Sequence, residues 1–395
     1  MLGWEFPPLS SGGLGTACYG LTKALANKGI EITFVVPYAS DRSAEFVKLV
    51  SAFGIKVKKI NALLSPYMSS NTYTDARSKS KYPSMYGNSL FEEVHRYTLA
   101  AAKIAEEEDF DVIHCHDWMT FHAGISIKKK QNKPLIVQVH ATEFDRTGNL
   151  GVNPYVYDIE KNGMLHADAV IAVSNFTKNK VVSNYLINPD KVHVVHNAVE
   201  SPNKTFLQNN GLRKNNKVVL FVGRITLQKG PDYFLYAAKR ILEKDPNIRF
   251  VMAGSGNMEP FIIEKAAELG IADKFLFTGF LQGDDVHKAY QMANVYVMPS
   301  VSEPFGITPL ESMTNGTPVI ISNQSGVSEV INHCLKVDFW DIDELSNKIL
   351  GVLNYSSLHE ELKENASTEV RKFSWDLPAA KCINIYNQLI STEQK

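Results

Sequence analysis

Short β-branched apolar runs alternate with helical patterns along the whole chain. This alternation is the signature of parallel sheets covered by helices, because such sheets bury their strands on both faces. The sequence therefore predicts an α/β fold. We expect strands at residues 31–37, 55–60, 111–116, 134–140, 169–174 and 191–196 in the first half, and at 217–223, 248–254, 274–279, 294–300 and 317–322 in the second.

Each half carries five or six predicted strands, enough for its own doubly wound, Rossmann-like sheet. The stretch between them is rich in Asn, Lys and Gly and has no apolar period, which is typical of an exposed linker. We predict a first domain at 1–199, a linker at 200–216, a second domain at 217–372 and a closing helix at 373–395 that packs back toward the first domain. Ligands bind at the carboxyl ends of such strands, so we expect two facing sheets and a cleft between them.

The charge balance excludes some classes of partner. The 395 residues carry 41 basic and 42 acidic side chains, a formal net charge of −1, so nucleic acid is not an expected partner. No apolar run approaches the roughly 20 residues of a membrane helix, and the start lacks the order of a signal peptide. Four scattered cysteines without a CxxC pair indicate reduced thiols, so we expect a cytoplasmic protein without integral membrane association.

The opening run "WEFPPLSSGGLG" fits a strand over residues 1–5, a turn and a helix from about Thr16 to Asn27. This order places bare backbone amides of Gly12 and Gly13 at a helix N-terminus, where a phosphate is favoured. The glycines match neither the dinucleotide fingerprint nor a P-loop, and a tight loop without a ligand is the alternative. The first strand begins at Met1 itself, which suggests that a few residues precede it.

The stretch "FVGRITLQKG" places two cations, Arg224 and Lys229, after the first strand of the second half. Two cations at the carboxyl end of a strand suit a diphosphate, because each charge-assisted contact in a shielded cleft contributes about 1.5–3 kcal/mol. The alternative is a pair of solvated surface cations.

The stretch "SEPFGITPLE" places Glu303 at a strand-to-loop transition and Glu311 eight residues later, at the start of a helix. Carboxylates separated in this way can reach a sugar and a ribose at the two ends of an extended ligand, while the amides between them face a phosphate. Two ordinary helix-start acids are the alternative.

In the first half, "HCHDWMTFHAG" and "HATEFDRTG" each follow a strand, so polar groups of His116, Asp117, His140 and Glu143 are candidates to hold sugar hydroxyls. A metal site of His114, Cys115 and His116 is not expected, because alternating strand residues point to opposite faces. Residues 61–90 have no clear period. We expect a long loop there, whose tyrosines Tyr67, Tyr73, Tyr82 and Tyr86 either bind the acceptor or pack within the loop.

Taken together, these stretches resemble the retaining glycosyltransferases of family 4 and their glycogen and starch synthase relatives. The resemblance runs almost end to end, through "WEFPPLSSGGLG", "HCHDW", "HATEFDRTG", "VIAVSNFT", "VVHNAV", "FVGRITLQKG", "AGSG" and "SEPFGITPLE". It implies the GT-B fold, in which two Rossmann-like domains face each other across a cleft. It also implies a sugar nucleotide as donor and a carbohydrate as acceptor.

The resemblance assigns roles to residues at matching positions. Arg224 and Lys229 would bind and stabilise the leaving diphosphate, Glu303 would contact the transferred sugar and Glu311 the ribose. The backbone of Phe305, Gly306, Ile307 and Thr308 would hold the sugar and phosphate, and Gly12 and Gly13 would approach the diphosphate from the other domain. His140 would lie beside the anomeric centre, and Asp117 would help to position donor and acceptor.

The family's usual mechanism retains the anomeric configuration and needs no metal or other cofactor, since fixed cations stabilise the leaving group. Bacterial-type glucan synthases carry Lys two residues before the first glycine of the opening loop, where this chain has Ser10. We expect glucosyl transfer from ADP- or UDP-glucose to an α-1,4-glucan.

Three alternatives stay open at this point. One is a family 4 transferase that uses a UDP- or GDP-sugar for another polysaccharide or a glycolipid. Another is a disaccharide phosphorylase or synthase of the same fold. The third is a sugar-binding protein without catalysis; a nucleotide-dependent oxidoreductase is disfavoured because no Gly-x-Gly-x-x-Gly follows a strand.

Overall fold

Parallel strands alternate with helices in two α/β units of the chain. The computed structural model describes residues 1–6, 12–37, 55–65, 68–148, 150–200 and 217–393. The first unit comprises Met1–Glu143, Val152–Asn197 and Trp375–Lys395, and the second comprises Phe144–Gly151 and Ala198–Ser374. Most of the predicted linker, residues 201–216, lies outside the described residues.

The first unit is built on parallel strands. They are β1 (Ile32–Pro37), β2 (Ile55–Ile60), β3 (Ile113–His116), β4 (Leu135–Val139), β5 (Ala169–Ala172) and β6 (Val192–Val194). The helices between residues 13 and 185 are α1 (Gly13–Asn27), α2 (Ser70–Ser78), α3 (Leu90–Glu106), α4 (Trp118–Gln131), α5 (Glu143–Arg146), α6 (Pro154–His166) and α7 (Asn175–Tyr185). All of α5 except Glu143 belongs to the second unit. Every residue of β3, β4 and β5 is buried, as expected for a sheet covered on both faces.

The first residues of the chain bridge two parts of this sheet. Leu2 N donates to His114 O (2.8 Å), and His116 N donates to Leu2 O (2.9 Å). On the other side, Gly3 N donates to Val35 O (3.0 Å). The order across the sheet is therefore β2, β1, the opening segment, β3, β4, β5, β6. The strand order reverses between the opening segment and β3, which is where a doubly wound sheet forms its binding crevice.

The second unit contains a six-stranded parallel sheet in the order β12-β11-β10-β7-β8-β9. Its strands are β7 (Val218–Val222), β8 (Arg249–Ala253), β9 (Phe275–Gly279), β10 (Val295–Met298), β11 (Val319–Ser322) and β12 (Leu335–Val337). Its helices are α8 (Pro231–Leu242), α9 (Glu259–Glu268), α10 (Asp284–Met292), α11 (Thr308–Thr314), α12 (Ile342–Asn354) and α13 (Ser356–Glu369). Here the order reverses between β7 and β10.

The last helix, α14 (Asp376–Glu393), belongs to the first unit. The hydroxyl of Tyr386 on α14 lies 2.7 Å from Nδ1 of His114 on β3, and both side chains are buried. Gly20 on α1 packs against the ring of Trp375, because a Cβ added there would lie 2.2 Å from ring atoms. The helix therefore contacts both the sheet and α1.

Three local features differ from the prediction. Helix α1 begins at Gly13 rather than near Thr16, so the second and third glycines of the opening run are helical. Residues 61–90 contain α2, which is capped by Ser69 through a hydrogen bond from Thr72 N, instead of a continuous loop. The three-residue strand β12 was not predicted.

Candidate functional site

In the second unit, the turn after β7 is tied to the turn after β10. Arg224 follows β7, and its guanidinium donates to Oε1 of Gln228 (2.8 Å). The amide of Gln228 in turn donates to Ser302 O (3.1 Å), and Gln228 O accepts from Val301 N (3.0 Å). Gln228 is buried, and the residue patterns in the sequence did not identify it. The guanidinium is thus held at the point where the strand order reverses.

Lys229 and Glu303 form a salt bridge between Nζ and Oε2 at the same place. The hydroxyl of Ser300 donates to the same carboxylate oxygen (3.2 Å). Glu303 is almost fully buried, with 8% of its side chain exposed, and Lys229 retains 20%. Two residues predicted to bind neighbouring parts of one ligand are therefore brought together by the fold.

Two glycines allow these turns to approach one another. Gly254, after β8, has φ +141°, and a Cβ there would lie 1.8 Å from Gly223 O. Gly230, before α8, has φ +63°, and a Cβ there would lie 2.2 Å from Pro299 O. Any side chain at either position would force the turns after β7, β8 and β10 apart.

The segment from Glu303 to Thr308 is held along a neighbouring stretch of backbone. Glu303 N donates to Gln324 O (2.9 Å), Gly326 N donates to Glu303 O (2.9 Å), and Val327 N donates to Phe305 O (2.7 Å). Gly306 has φ +99°, in the region that favours glycine. Ile307 precedes the first residue of α11, Thr308. The four residues Phe305 to Thr308 thus form a fixed stretch beside the Glu303 carboxylate.

Glu311 lies in the first turn of α11, and its Oε2 accepts from the Tyr290 hydroxyl (2.9 Å). Burial raises the pKa of Glu311, and the hydrogen bond from Tyr290 offsets part of that effect. At the start of α11, the hydroxyl of Tyr296, whose ring packs edge-on against Tyr290, donates to Oγ1 of Thr308 (2.8 Å). Tyr290 and Tyr296 therefore orient the two ends of the first turn of α11.

A further buried contact involves Asp145, which lies in the "HATEFDRTG" stretch. Oδ1 of Asp145 accepts from the Ser302 hydroxyl (2.6 Å), and both residues are buried. The sequence patterns identify neither residue, because the contact joins segments 157 positions apart. Asp145 fixes the residue directly before Glu303.

In the first unit, His116, Asp117 and His140 come together after β3 and β4. Nδ1 of His116 lies 3.0 Å from Nε2 of His140, and Oδ1 of Asp117 accepts from His140 N (2.7 Å). Burial lowers the pKa of His140 to about 3 and lowers the pKa of His116 well below its usual range. Both rings are therefore neutral at ordinary pH.

Asp117 adopts φ +59° and ψ 169°, a backbone region that is nearly restricted to glycine. Such a conformation costs on the order of 1–3 kcal/mol and is common at functional sites. Two backbone hydrogen bonds hold this conformation in place. Asp117 N donates to Gln138 O (3.0 Å), and Asp117 O accepts from Thr120 N (3.1 Å). The strain identifies Asp117 as a residue whose position matters.

Other candidates from the sequence have different surroundings. The carboxylate of Glu143 is buried and accepts from Asn153 N (3.3 Å), so it connects α5 to the start of α6. His114 and His116 stack with ring centroids 4.5 Å apart, whereas Cys115 packs against Gly124. Gly12 is the N-cap residue of α1. A Cβ added at Gly13 would have no atom of the described residues within 4 Å, apart from its chain neighbours and the backbone of α1.

Two tyrosines within residues 61–90, Tyr73 and Tyr82, have contrasting surroundings. Tyr73 is fully buried, and its hydroxyl donates to Gly87 O (2.7 Å), so it is a packing residue. Tyr82 is 54% exposed. Tyr67 and Ser10 lie outside the described residues.

Two family models match the chain, one in each half. The family model described as "Glycosyltransferase Family 4" matches residues 11–201, and the one described as "Glycosyl transferases group 1" matches residues 203–369. None of the helices in the described ranges is long and apolar enough to cross a bilayer.

Several curated relatives span most of the chain. An uncharacterised glycosyltransferase of Methanocaldococcus jannaschii is 31% identical over 404 residues, covering 98% of this chain and 97% of the relative. A glycogen synthase of Mycobacterium tuberculosis is 25% identical over 84% of this chain and 79% of its own length. A D-inositol 3-phosphate glycosyltransferase of Kribbella flavida is 26% identical over 97% and 92%, respectively.

Among solved structures, sucrose-phosphate synthase from Thermosynechococcus elongatus is similar in fold. The TM-score is 0.80 at 21% identity, with 99% of this chain and 98% of that chain covered. At this level of identity the likeness concerns the fold.

Proposed function

The chain belongs to the family 4 glycosyltransferases with the GT-B fold, and we propose that it transfers glucose from ADP- or UDP-glucose to a carbohydrate acceptor such as an α-1,4-glucan, with retention of configuration. The observation that carries the donor half of this proposal is the cluster of Arg224, Lys229 and Glu303 at the β7–β10 reversal. It combines cations for a diphosphate with a carboxylate for sugar hydroxyls.

In the proposed complex, Arg224 and Lys229 bind the diphosphate and Glu303 accepts hydrogen bonds from the sugar. The backbone of Phe305, Gly306, Ile307 and Thr308 lies along the sugar and phosphate. Glu311, oriented by Tyr290, accepts from the ribose hydroxyls. The backbone of Gly12 and Gly13 contributes further contacts to the diphosphate; the open space at the Cβ position of Gly13 is consistent with a close approach.

We further propose that His140 lies beside the anomeric carbon and that Asp117 positions donor and acceptor. A neutral imidazole suits this place, because positive charge develops on the sugar ring when the bond to the leaving group breaks. The low pKa of His140 keeps the ring uncharged. The backbone strain at Asp117 fits a residue held for function.

The proposed reaction exchanges one bond for another on the same face of the sugar. The bond between the anomeric carbon and the diphosphate oxygen breaks, and the acceptor oxygen bonds to that carbon from the same side. The acceptor's proton passes to the departing phosphate oxygen. Charge grows on the diphosphate, so cations fixed there in advance lower the barrier, and we propose that Arg224 and Lys229 do this without a metal.

The acceptor is the less constrained half of the proposal. The glycogen synthase relative favours a glucan, whereas the inositol phosphate transferase relative, which aligns over more of its length, favours a small acceptor. A phosphorylase of the same fold would instead release glucose 1-phosphate when given inorganic phosphate.

A donor and acceptor screen tests the proposal. ADP-, UDP- and GDP-sugars are each incubated with glycogen, maltooligosaccharides, inositol phosphate or simple sugars, and nucleoside diphosphate release is measured. We expect release from a glucose donor that depends on a glucan, with an α-linked product by NMR. Transfer only to inositol phosphate or a simple sugar would replace the glucan, and donor binding without release in any combination would indicate a binding protein.

A further inference from the structure

Three side chains that commonly bind metals converge in the first unit. Cys18 lies in the second turn of α1, His116 ends β3, and His140 directly follows β4. One potential ligand atom of each lies within 4.8 Å of the other two. Cys18 is a free thiol, and both it and His116 are fully buried. The cluster lies at the strand-order reversal of its sheet.

The hydrogen bonding of this cluster is incomplete. Nδ1 of His116 lies 3.0 Å from Nε2 of His140, but Nε2 of His116 is buried and has no hydrogen-bond partner among the described residues. A buried polar atom without a partner is costly and uncommon in proteins. An imidazole with an unused buried nitrogen next to a second imidazole and a thiol has the donor atoms of a soft-metal site.

The surrounding charge also favours a cation. Burial raises the pKa of the Cys18 thiol, and the buried carboxylates of Glu5 and Asp117 raise it further. The same negative charges would stabilise a divalent cation that displaces the thiol proton.

We infer that Cys18, His116 and His140 form a binding site for a thiophilic divalent cation, with Zn²⁺ as the best fit. Zinc takes sulfur at about 2.3 Å and nitrogen at about 2.0–2.1 Å in tetrahedral sites, and three protein ligands leave the fourth position open. Binding releases the Cys18 proton and forms a zinc–thiolate bond. Nitrogen ligands come from the two neutral imidazoles after a small contraction of the cluster.

The effect of a bound cation on sugar transfer follows from the proposed function and rests on it. His140 is the residue proposed to lie beside the anomeric carbon. A cation bound to its imidazole makes that ring unavailable to the sugar. The cation also adds positive charge at the place where the sugar ring becomes positive during transfer. Zinc therefore inhibits transfer. The reaction proposed above uses no metal, so this site is inhibitory rather than catalytic.

Cobalt is a suitable probe of the binding itself, because a thiolate–Co²⁺ bond gives an intense near-ultraviolet charge-transfer band. We expect the full-length protein to bind one equivalent of Co²⁺ with this band, and Zn²⁺ to displace it. Cys18→Ser removes the band and weakens Zn²⁺ binding at least about 100-fold, since losing even an outer-shell partner costs 10–100-fold. Cys334→Ser, which changes a buried free cysteine of the second unit, keeps both properties.

Activity provides the second readout. Cys18→Ser is expected to transfer sugar at the normal rate without metal and to resist Zn²⁺, whereas the wild type and Cys334→Ser are inhibited. Circular dichroism and thermal unfolding confirm that each variant folds. Absence of the charge-transfer band in the wild type, or equal metal affinity of the wild type and Cys18→Ser, would overturn the site. Because the cobalt spectrum needs no substrate, it decides the matter even if the proposed glucosyl transfer fails.

Discussion

Lys229 and Glu303 lie 74 residues apart in the chain and form a salt bridge in the second unit. Without a ligand, the cation proposed for the diphosphate and the carboxylate proposed for the sugar are therefore each other's partners. The pairing holds both side chains in place before a donor arrives, which reduces the entropy lost on binding. Removing either one also leaves the other charge mostly buried without its partner.

We predict that Lys229→Ala and Glu303→Ala each reduce transfer by at least about 10²–10³-fold. This is the effect of removing one preorganised group that stabilises developing charge. The measurement is nucleoside diphosphate release in the presence of donor and acceptor. Lys239→Ala is the matched control, because Lys239 lies on the exposed surface of α8 and pairs with Glu243 at 3.7 Å. Normal turnover in both site variants would refute the assigned roles.

Glu311 is predicted to favour donor binding at the expense of stability. Replacing it with Gln weakens hydrogen bonds to the ribose, and a hydrogen bond to a charged group contributes about 1.5–3 kcal/mol. We expect the donor KM of Glu311→Gln to rise at least tenfold, with a smaller change in kcat.

The same variant has a pH signature. Burial raises the folded-state pKa of Glu311, so the protonated carboxyl stabilises the fold in acid and this stability is lost as the pH rises. The uncharged Gln avoids that loss. Thermal unfolding without donor should show Glu311→Gln gaining stability relative to wild type from pH 4 to pH 8, and a constant difference would contradict this account.

The sheets were predictable, whereas the contacts of the site were not. Strands such as β5 and β10 are short apolar runs buried on both faces, so their positions are visible in the sequence. Strand β12 has three residues, too few for a pattern. Helix α2 has no apolar period, because Tyr73 is its one buried residue.

Some residues of the candidate site were predictable from the sequence, whereas their contacts were not. Arg224, Lys229, Glu303 and Glu311 follow strands or begin helices, and these positions identify candidates. The hydrogen bond between Asp145 and Ser302 joins distant segments that carry no shared pattern. The convergence of Cys18 with His116 and His140 depends likewise on how α1 packs on the sheet.

Gly13 offers a test that separates folding from function. A Cβ at this position meets nothing within 4 Å among the described residues, and replacing a helical Gly with Ala stabilises a helix by up to about 0.5–1 kcal/mol. We predict that Gly13→Ala keeps or raises the melting temperature but raises the donor KM, because the methyl group occupies space proposed for the diphosphate.

Gly20→Ala is the structural counterpart, since its Cβ would lie 2.2 Å from the ring of Trp375. It should lower the melting temperature, because the contact between α1 and the segment before α14 must open. An unchanged donor KM in a stable Gly13→Ala protein would show that the glycine run serves the turn alone.

Glu93 on α3 is predicted to hold the segment before that helix in place. Its buried carboxylate accepts from Leu63 N (3.0 Å), Gly87 N (2.7 Å) and the Arg96 guanidinium (3.0 Å to Nε). Burial alone would raise its pKa, but the hydrogen bonds from Arg96 and the two amides outweigh it, and the pKa is lowered. We expect Glu93→Gln to cost about 2 kcal/mol of unfolding free energy at neutral pH, because the buried acceptors are lost.

A lowered folded-state pKa means that Glu93 contributes stability above its unfolded pKa, near the ordinary value of 4.5, and that this contribution is lost as the pH falls through the folded value. Denaturant unfolding should therefore show a difference between wild type and Glu93→Gln that is full at pH 7 and shrinks below about pH 4.5. Glu107→Gln is the control, because Glu107 is exposed at the other end of α3 and should change stability by less than about 0.5 kcal/mol. A difference that stays the same at every pH would mean that Glu93 acts through its shape rather than its charge.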